Sequence, residues 1–315
     1  MLRYQRGAQQ LQIGSPRYKR SIAGHQVVHI QCLDRDQNEI DGAYGTGFFI
    51  KQGQTVFLCT CWHVVTGYDP LDVKIQPPGK IPPRREFLKV TLRKTEPLPP
   101  GFPPHLAGEI SYGNHSFYVN LYSESEDGPL PIWQQDQEGP PNGSLENVGI
   151  YVPAVDFVLI PIDSILRVQD IMLGKEQCFQ SEDLIFRKMI QGDKLMTVGF
   201  PFGYGSALNT SNSPTPIMVT RHLASEHSES DRMYALMDGP CSEGMSGSPV
   251  FAEVEGEFVF GGIYTGTILP DFGSLGEARL RKEQVLLRKL TALGRFHSSG
   301  LLGSVMTYLD EKYAS

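Results

Sequence analysis

Cys241-Ser242-Glu243-Gly244-Met245-Ser246-Gly247-Ser248-Pro249-Val250-Phe251 is a turn of small residues that runs into an apolar strand. A serine held between glycines in such a turn exposes its hydroxyl and leaves backbone N–H groups free of strand pairing. Gly244 keeps side-chain bulk away from an incoming carbonyl. The N–H groups of Gly244 and Ser246 are then placed to converge on a developing oxyanion, an effect of roughly 3–4 kcal/mol per donor. Taken alone, the pattern fits a plain Gly/Ser turn equally well.

The residues upstream change that balance. A serine nucleophile needs a base, and the base needs an acid to orient it. Phe57-Leu58-Cys59-Thr60-Cys61-Trp62-His63-Val64-Val65 is an apolar strand running into a histidine. Val155-Asp156-Phe157-Val158-Leu159-Ile160-Pro161-Ile162 is an aspartate opening a buried strand. The chain order is base, acid, nucleophile: His63, Asp156, Ser246. That order is one of three found for such triads on unrelated folds.

These stretches, together with Gly45-Thr46-Gly47-Phe48-Phe49-Ile50, resemble a trypsin-like serine peptidase of the bacterial, HtrA-like branch. Val198-Gly199-Phe200-Pro201-Phe202-Gly203 is similar to that branch's glycine–proline turn. Val219-Thr220-Arg221 and Asp238-Gly239-Pro240 resemble the strand and loop leading to its serine, and Gly262-Ile263-Tyr264-Thr265-Gly266 the strand beside the substrate. The resemblance runs from about residue 25 to the C-terminus, apart from one insertion. It implies an all-β fold of two six-stranded antiparallel β-barrels with a C-terminal helix and the triad in the cleft between barrels. The first barrel is expected over about 23–165, the second over about 166–298, and the helix over about 300–313.

Composition agrees. The 315 residues are 40% apolar, with 33 glycines and 23 prolines, which suits many short strands and tight turns. A net charge of −7 provides no basic footprint for nucleic acid. No apolar run is long enough for a signal peptide or a membrane span, so a soluble, cytoplasmic protein is expected. The cysteines Cys32, Cys59, Cys61, Cys178 and Cys241 are odd in number and read as free thiols. Cys59 and Cys61 are expected on one side of a strand as small apolar residues. No second ligand pair accompanies them, so neither metal nor other cofactor is expected.

Residues 1–22 read as a polar arm and 23–315 as the peptidase domain. Strands are expected at 26–32, 48–50, 56–58, 87–92, 117–122, 195–198, 217–220, 234–237, 250–252 and 258–263, with Gly53 turning the second into the third. Paired prolines at 77–78, 82–83, 99–100 and 103–104 exclude a central strand through most of the insertion. Residues 277–293 read as a charged helix inserted in a loop, with a partner surface as the sharper reading. Leu301, Leu302, Val305, Met306 and Leu309 recur at helical spacing.

Two departures from the resemblance bear on specificity. Met245 stands where secreted trypsins carry the aspartate that binds a new N-terminus, so activation by N-terminal insertion is not expected. Pro240 stands where an acid would pair a substrate Lys or Arg. The substrate pocket, expected from Pro240, Glu243, Tyr264, Thr265 and Gly266, should therefore take small or apolar residues, with Tyr264 narrowing it. The expected partner is a protein or peptide substrate. The alternatives are a catalytically silent peptide-binding protein and an esterase on the same fold.

Overall fold

The computed structural model describes residues 23–68, 82–96, 111–126, 128–135, 155–174, 177–184, 188–203, 215–225, 234–268 and 292–313. The expected arm at 1–22 and nearly all of the expected helix at 277–293 lie outside these.

In the first half, β1 (Val27–Leu33) pairs with both β2 (Glu39–Gln52) and β4 (Phe87–Glu96), all antiparallel. Strand β3 (Thr55–Thr60) returns along β2 through the turn at Gly53, whose φ of 57° suits glycine. Strand β5 (Ser111–Asn120) pairs along the whole of β4. A short hairpin of β6 (Tyr122–Ser123) and β7 (Leu130–Pro131) follows, and β8 (Val158–Pro161) then joins the free edge of β3. The order is β5-β4-β1-β2-β3-β8, with the short β9 (Cys178–Gln180) parallel to β2. Among the described residues this sheet curls but does not close into the six-stranded barrel expected. The second half does close: β10 (Lys194–Gly199), β11 (Ile217–Ser225), β12 (Ala235–Met237), β15 (Leu293–Ser298), β14 (Glu257–Ile268) and β13 (Pro249–Val254) pair around a complete ring.

Successive residues of a strand face opposite ways, and β2 and β3 bury both faces. Phe49 and Leu58 point into the first half with Trp62 and Phe117. Phe48, Ile50 and Phe57 point the other way, toward Phe251, Phe260 and Ile263 of the barrel. The ring centroids of Phe48 and Phe260 are 5.6 Å apart. The C-terminal helix Ser299–Tyr313 adds Leu302, Val305 and Met306 to that shared layer, as its periodicity predicted. The barrel has its own interior of Leu195, Met237, Met245, Tyr264 and Phe296.

Two expectations need correction. Cys59 and Cys61 do not share a side: Cys59 packs in the layer between the halves and Cys61 inside the first half. The strand ends at Thr60, so its alternation stops before Cys61. Leu293 does not end an inserted helix but opens β15, a strand of the barrel wall that the sequence reading missed.

Candidate active site

Strands β3 and β8 are antiparallel neighbours, and Thr60 lies opposite Val158. The end of one is therefore beside the start of the other. His63 follows β3 in the helix Trp62–Thr66, and Asp156 precedes β8, so the sheet register alone brings them together. The His63 Nδ1 atom is 2.7 Å from Asp156 Oδ2, and the His63 backbone N–H donates to Oδ1 at 3.0 Å. One carboxylate thus holds both ring and main chain of the histidine. The Asp156 side chain is 6% exposed and that of His63 is 25% exposed, so the acid is dry and the base faces solvent. Gly67, at φ 85°, ends the helix by donating its N–H to the His63 carbonyl, and Arg85 Nη1 donates to the carbonyls of His63 and Val64.

Ser246 arrives from the barrel, on the turn leading into β13. That turn is held by β2 of the other half. The last β2 residue paired with β3 is Phe48, opposite Cys59, which frees the preceding edge of β2. Thr46 uses it with every polar atom it has. Its N–H donates to the Ser246 carbonyl at 2.9 Å. Its hydroxyl donates to the Gly244 carbonyl at 2.8 Å and accepts the Phe200 N–H at 3.0 Å. Its carbonyl accepts the Thr60 hydroxyl at 2.8 Å. Thr46 is fully buried. A Cβ on Gly247 would lie 2.0 Å from the Thr46 carbonyl oxygen, so only glycine lets the turn approach β2 this closely.

Gly244 adopts φ 86°. A Cβ there would stand 2.4 Å from the Phe200 carbonyl oxygen and 2.9 Å from the Tyr44 ring. The carbonyl of Glu243 is pinned by the Phe202 N–H at 2.5 Å. A peptide unit is planar, so pinning the carbonyl turns the Gly244 N–H the opposite way. Among the described residues, the N–H groups of Gly244 and Ser246 have no backbone acceptor. The structure joins His63 to Asp156 directly and brings the Ser246 turn to the same stretch of β2: a Cβ on Gly45 would lie 2.8 Å from Val64 and 3.2 Å from the Ser246 carbonyl oxygen, with no Ser246–His63 hydrogen bond among the described residues. Such bonds commonly tighten only when substrate is bound.

The other expected positions divide. The Pro240 carbonyl accepts Nη2 of Arg221 at 2.8 Å, so the charged group bonded there is a cation. Glu243 is exposed. The Tyr264 ring does not open onto a pocket: it is 2% exposed in the barrel interior, and its hydroxyl accepts the Cys241 N–H at 3.0 Å. Burial pushes that phenol up to about 12. Thr265 is buried and Gly266 half-buried. Met245 fills the barrel interior, which accounts for an apolar residue at that point.

Cys61 Sγ, a His63 ring nitrogen and an Asp156 oxygen lie within 4.8 Å of one another, a spacing that can suit a metal. Binding there needs a thiolate. Burial first, and Asp156 second, push the Cys61 thiol well above its ordinary value. The Arg295 guanidinium, 3.7 Å from Asp156, adds a cation that a metal would have to face. The cluster suits proton transfer better than coordination.

Sequence reasoning missed β15. It lays two further side chains against Asp156: Arg295 Nη2 stands 3.7 Å from Oδ2, and His297 Nε2 accepts the Asp156 N–H at 2.9 Å. Among the described residues, no helix is long and apolar enough to cross a membrane.

No protein-family model matches this sequence, and no curated protein does. Solved structures do. A protease of M. tuberculosis in its active form is 15% identical, with a TM-score of 0.43, over 92% of this chain and 82% of that one. A serine endoprotease of Yersinia pestis is 14% identical, with a TM-score of 0.44, over 95% of this chain and 68% of that one.

Proposed function

We propose that this protein is a serine endopeptidase in which Ser246 attacks the peptide carbonyl, His63 takes and returns the proton, and Asp156 holds the imidazole. The observation that carries this reading is the double hold of one buried carboxylate on His63, through the ring and the main chain. It fixes the tautomer with Nδ1–H toward Asp156 and leaves Nε2 to act as base. The N–H groups of Gly244 and Ser246, free of backbone acceptors, are the donors for the tetrahedral oxyanion. The bond from C to the leaving nitrogen then breaks as His63 returns the proton to it, and water repeats the sequence on the acyl-enzyme.

Ser246 is a better nucleophile than the nearby Cys61, which is fully buried with its thiol pushed up. Cleavage after small or apolar residues is favoured, because the Pro240 carbonyl is met by Arg221, the neighbouring Asp238 carboxylate is paired with His222 and Glu243 is exposed, and an unpaired buried substrate cation costs several kcal/mol. The expected partner through this site is an unfolded segment or exposed loop of a protein. The test is labelling with a fluorophosphonate, which should mark wild type on Ser246 and leave Ser246→Ala blank, followed by a peptide library. Labelling without peptide cleavage would identify an esterase. A folded wild type that takes no label would identify a silent peptide-binding protein.

A further inference from the structure

We infer that Arg295 and His297, two apart on β15, are positioning residues for the general base and act on it through Asp156. This rests on the peptidase reading for its kinetic consequences, though the geometry stands by itself. In a strand, residues two apart face the same way. Phe296 points into the barrel, while Arg295 and His297 point out of it toward the first half. There they are 5% and 4% exposed. His297 stacks edge-on against Phe157, the residue after the aspartate, with ring centroids 5.7 Å apart.

The two contacts hold different parts of one residue. His297 Nε2 accepts the Asp156 backbone N–H, which requires that nitrogen to be unprotonated and fixes the backbone from which the carboxylate projects. Arg295 approaches Oδ2, the same oxygen that faces His63 Nδ1. A Cβ on Gly266 would lie 3.4 Å from Arg295 Nε and 3.5 Å from Nη2, so the guanidinium lies directly beneath the substrate-side strand.

A guanidinium so near Oδ2 offsets part of the field that Asp156 exerts on His63. Arg85 is a second cation beside His63, but it is common to every variant below, so the comparison isolates Arg295. Cys61 is a neutral buried thiol, Arg85 reaches the His63 carbonyl, and the serine-turn carboxylate, Glu243, is exposed.

The experiment measures kcat/KM against pH for wild type, Arg295→Met, Arg295→Gln, Arg295→Lys, His297→Leu and His297→Gln, each checked for folding by circular dichroism. In parallel, the His63 ring is titrated by NMR in ¹⁵N-histidine-labelled protein. The two neutral Arg295 variants should move the acid limb, and the NMR titration, up by roughly one pH unit, while Arg295→Lys keeps both near wild type. His297→Leu should lower kcat about tenfold with KM unchanged, and His297→Gln, which can still accept the N–H, should recover most of it. A folded neutral variant with an unmoved titration overturns the role of Arg295. If neither neutral variant folds, the His297 pair decides: equal kcat in His297→Leu and wild type overturns the inference. Failure of the peptidase reading appears separately, as wild type without fluorophosphonate label, and leaves the NMR titration able to test the Arg295 contact.

Discussion

Thr46→Val exchanges a hydroxyl for a methyl at nearly constant volume, so its effect isolates the hydrogen bonds of Oγ1. Two buried backbone groups lose their partner: the Gly244 carbonyl, which accepts from Oγ1 at 2.8 Å, and the Phe200 N–H, which donates to it at 3.0 Å. Each orphaned buried group costs about 1–3 kcal/mol. The sum is about 2–4 kcal/mol after some relaxation, or a fall in Tm of roughly 3–6 °C for a chain of this length. Activity should fall further than stability. The Gly244 carbonyl belongs to the residue whose N–H is the proposed oxyanion donor, and loss of one such donor costs about 10²–10³ in kcat. KM should change little, since the donor acts chiefly in the transition state. Thr46→Ser retains the hydroxyl and should recover most of both losses. The assay is differential scanning calorimetry with steady-state kinetics on a peptide substrate below the variant's Tm. A Thr46→Val protein that melts with wild type and turns over at the wild-type rate would refute the claim that this hydroxyl holds the serine turn.

Ser246→Ala and His63→Ala should each lose on the order of 10⁴–10⁶ in turnover while keeping a wild-type circular dichroism spectrum; residual peptidase activity near wild type in Ser246→Ala would mean another nucleophile. Because all five cysteines are free and buried, a reductant should leave the fold intact and a chelator should leave activity unchanged, as read by melting and turnover with and without each reagent. Burial lowers His29 from 6.5 to about 4, and its Nε2 has no hydrogen-bond partner beside Phe200. Between these two values the unfolded chain binds the extra proton, so stability falls as pH drops from about 6.5 toward 4, by at most roughly 3 kcal/mol. His29→Gln should flatten that slope in urea titrations, and an unchanged slope would assign it to other groups. A peptide library should show few cleavages after Lys or Arg, and a majority there would place an acid in the pocket.

Much of this architecture was legible because local chemistry and long-range pairing agree. Gly53, the alternation in β1 and the apolar entry to His63 each point to the element found. Asp156 was legible because it opens a strand that pairs beside the one ending before His63. Strand β15 was not, for a physical reason. Arg295, Phe296 and His297 are all buried, since the barrel interior lies on one side and the first half on the other. A strand buried on both faces loses its alternation, and one carrying an arginine and a histidine also loses its apolar signature. The burial of Tyr264 was not legible for a related reason: which face of β14 meets the barrel interior follows from its register with β13, and no local pattern reveals it. The role of Thr46 is a property of the approach between halves, which spacing along the chain does not encode.

On the proposed reading, the hold of β2 on the serine turn makes catalytic competence a property of assembly. The nucleophile is carried by one half of the molecule, but its turn is registered by a single threonine of the other. A one-residue slip of β2 against β1 would turn Thr46 to the opposite face and leave the turn without its anchor. A chain still being made, or one whose halves have not docked, then carries all its reactive side chains without the arrangement that makes them dangerous to neighbouring proteins. On the proposed reading, hydrolytic activity needs the two halves docked and should be lost when that docking loosens.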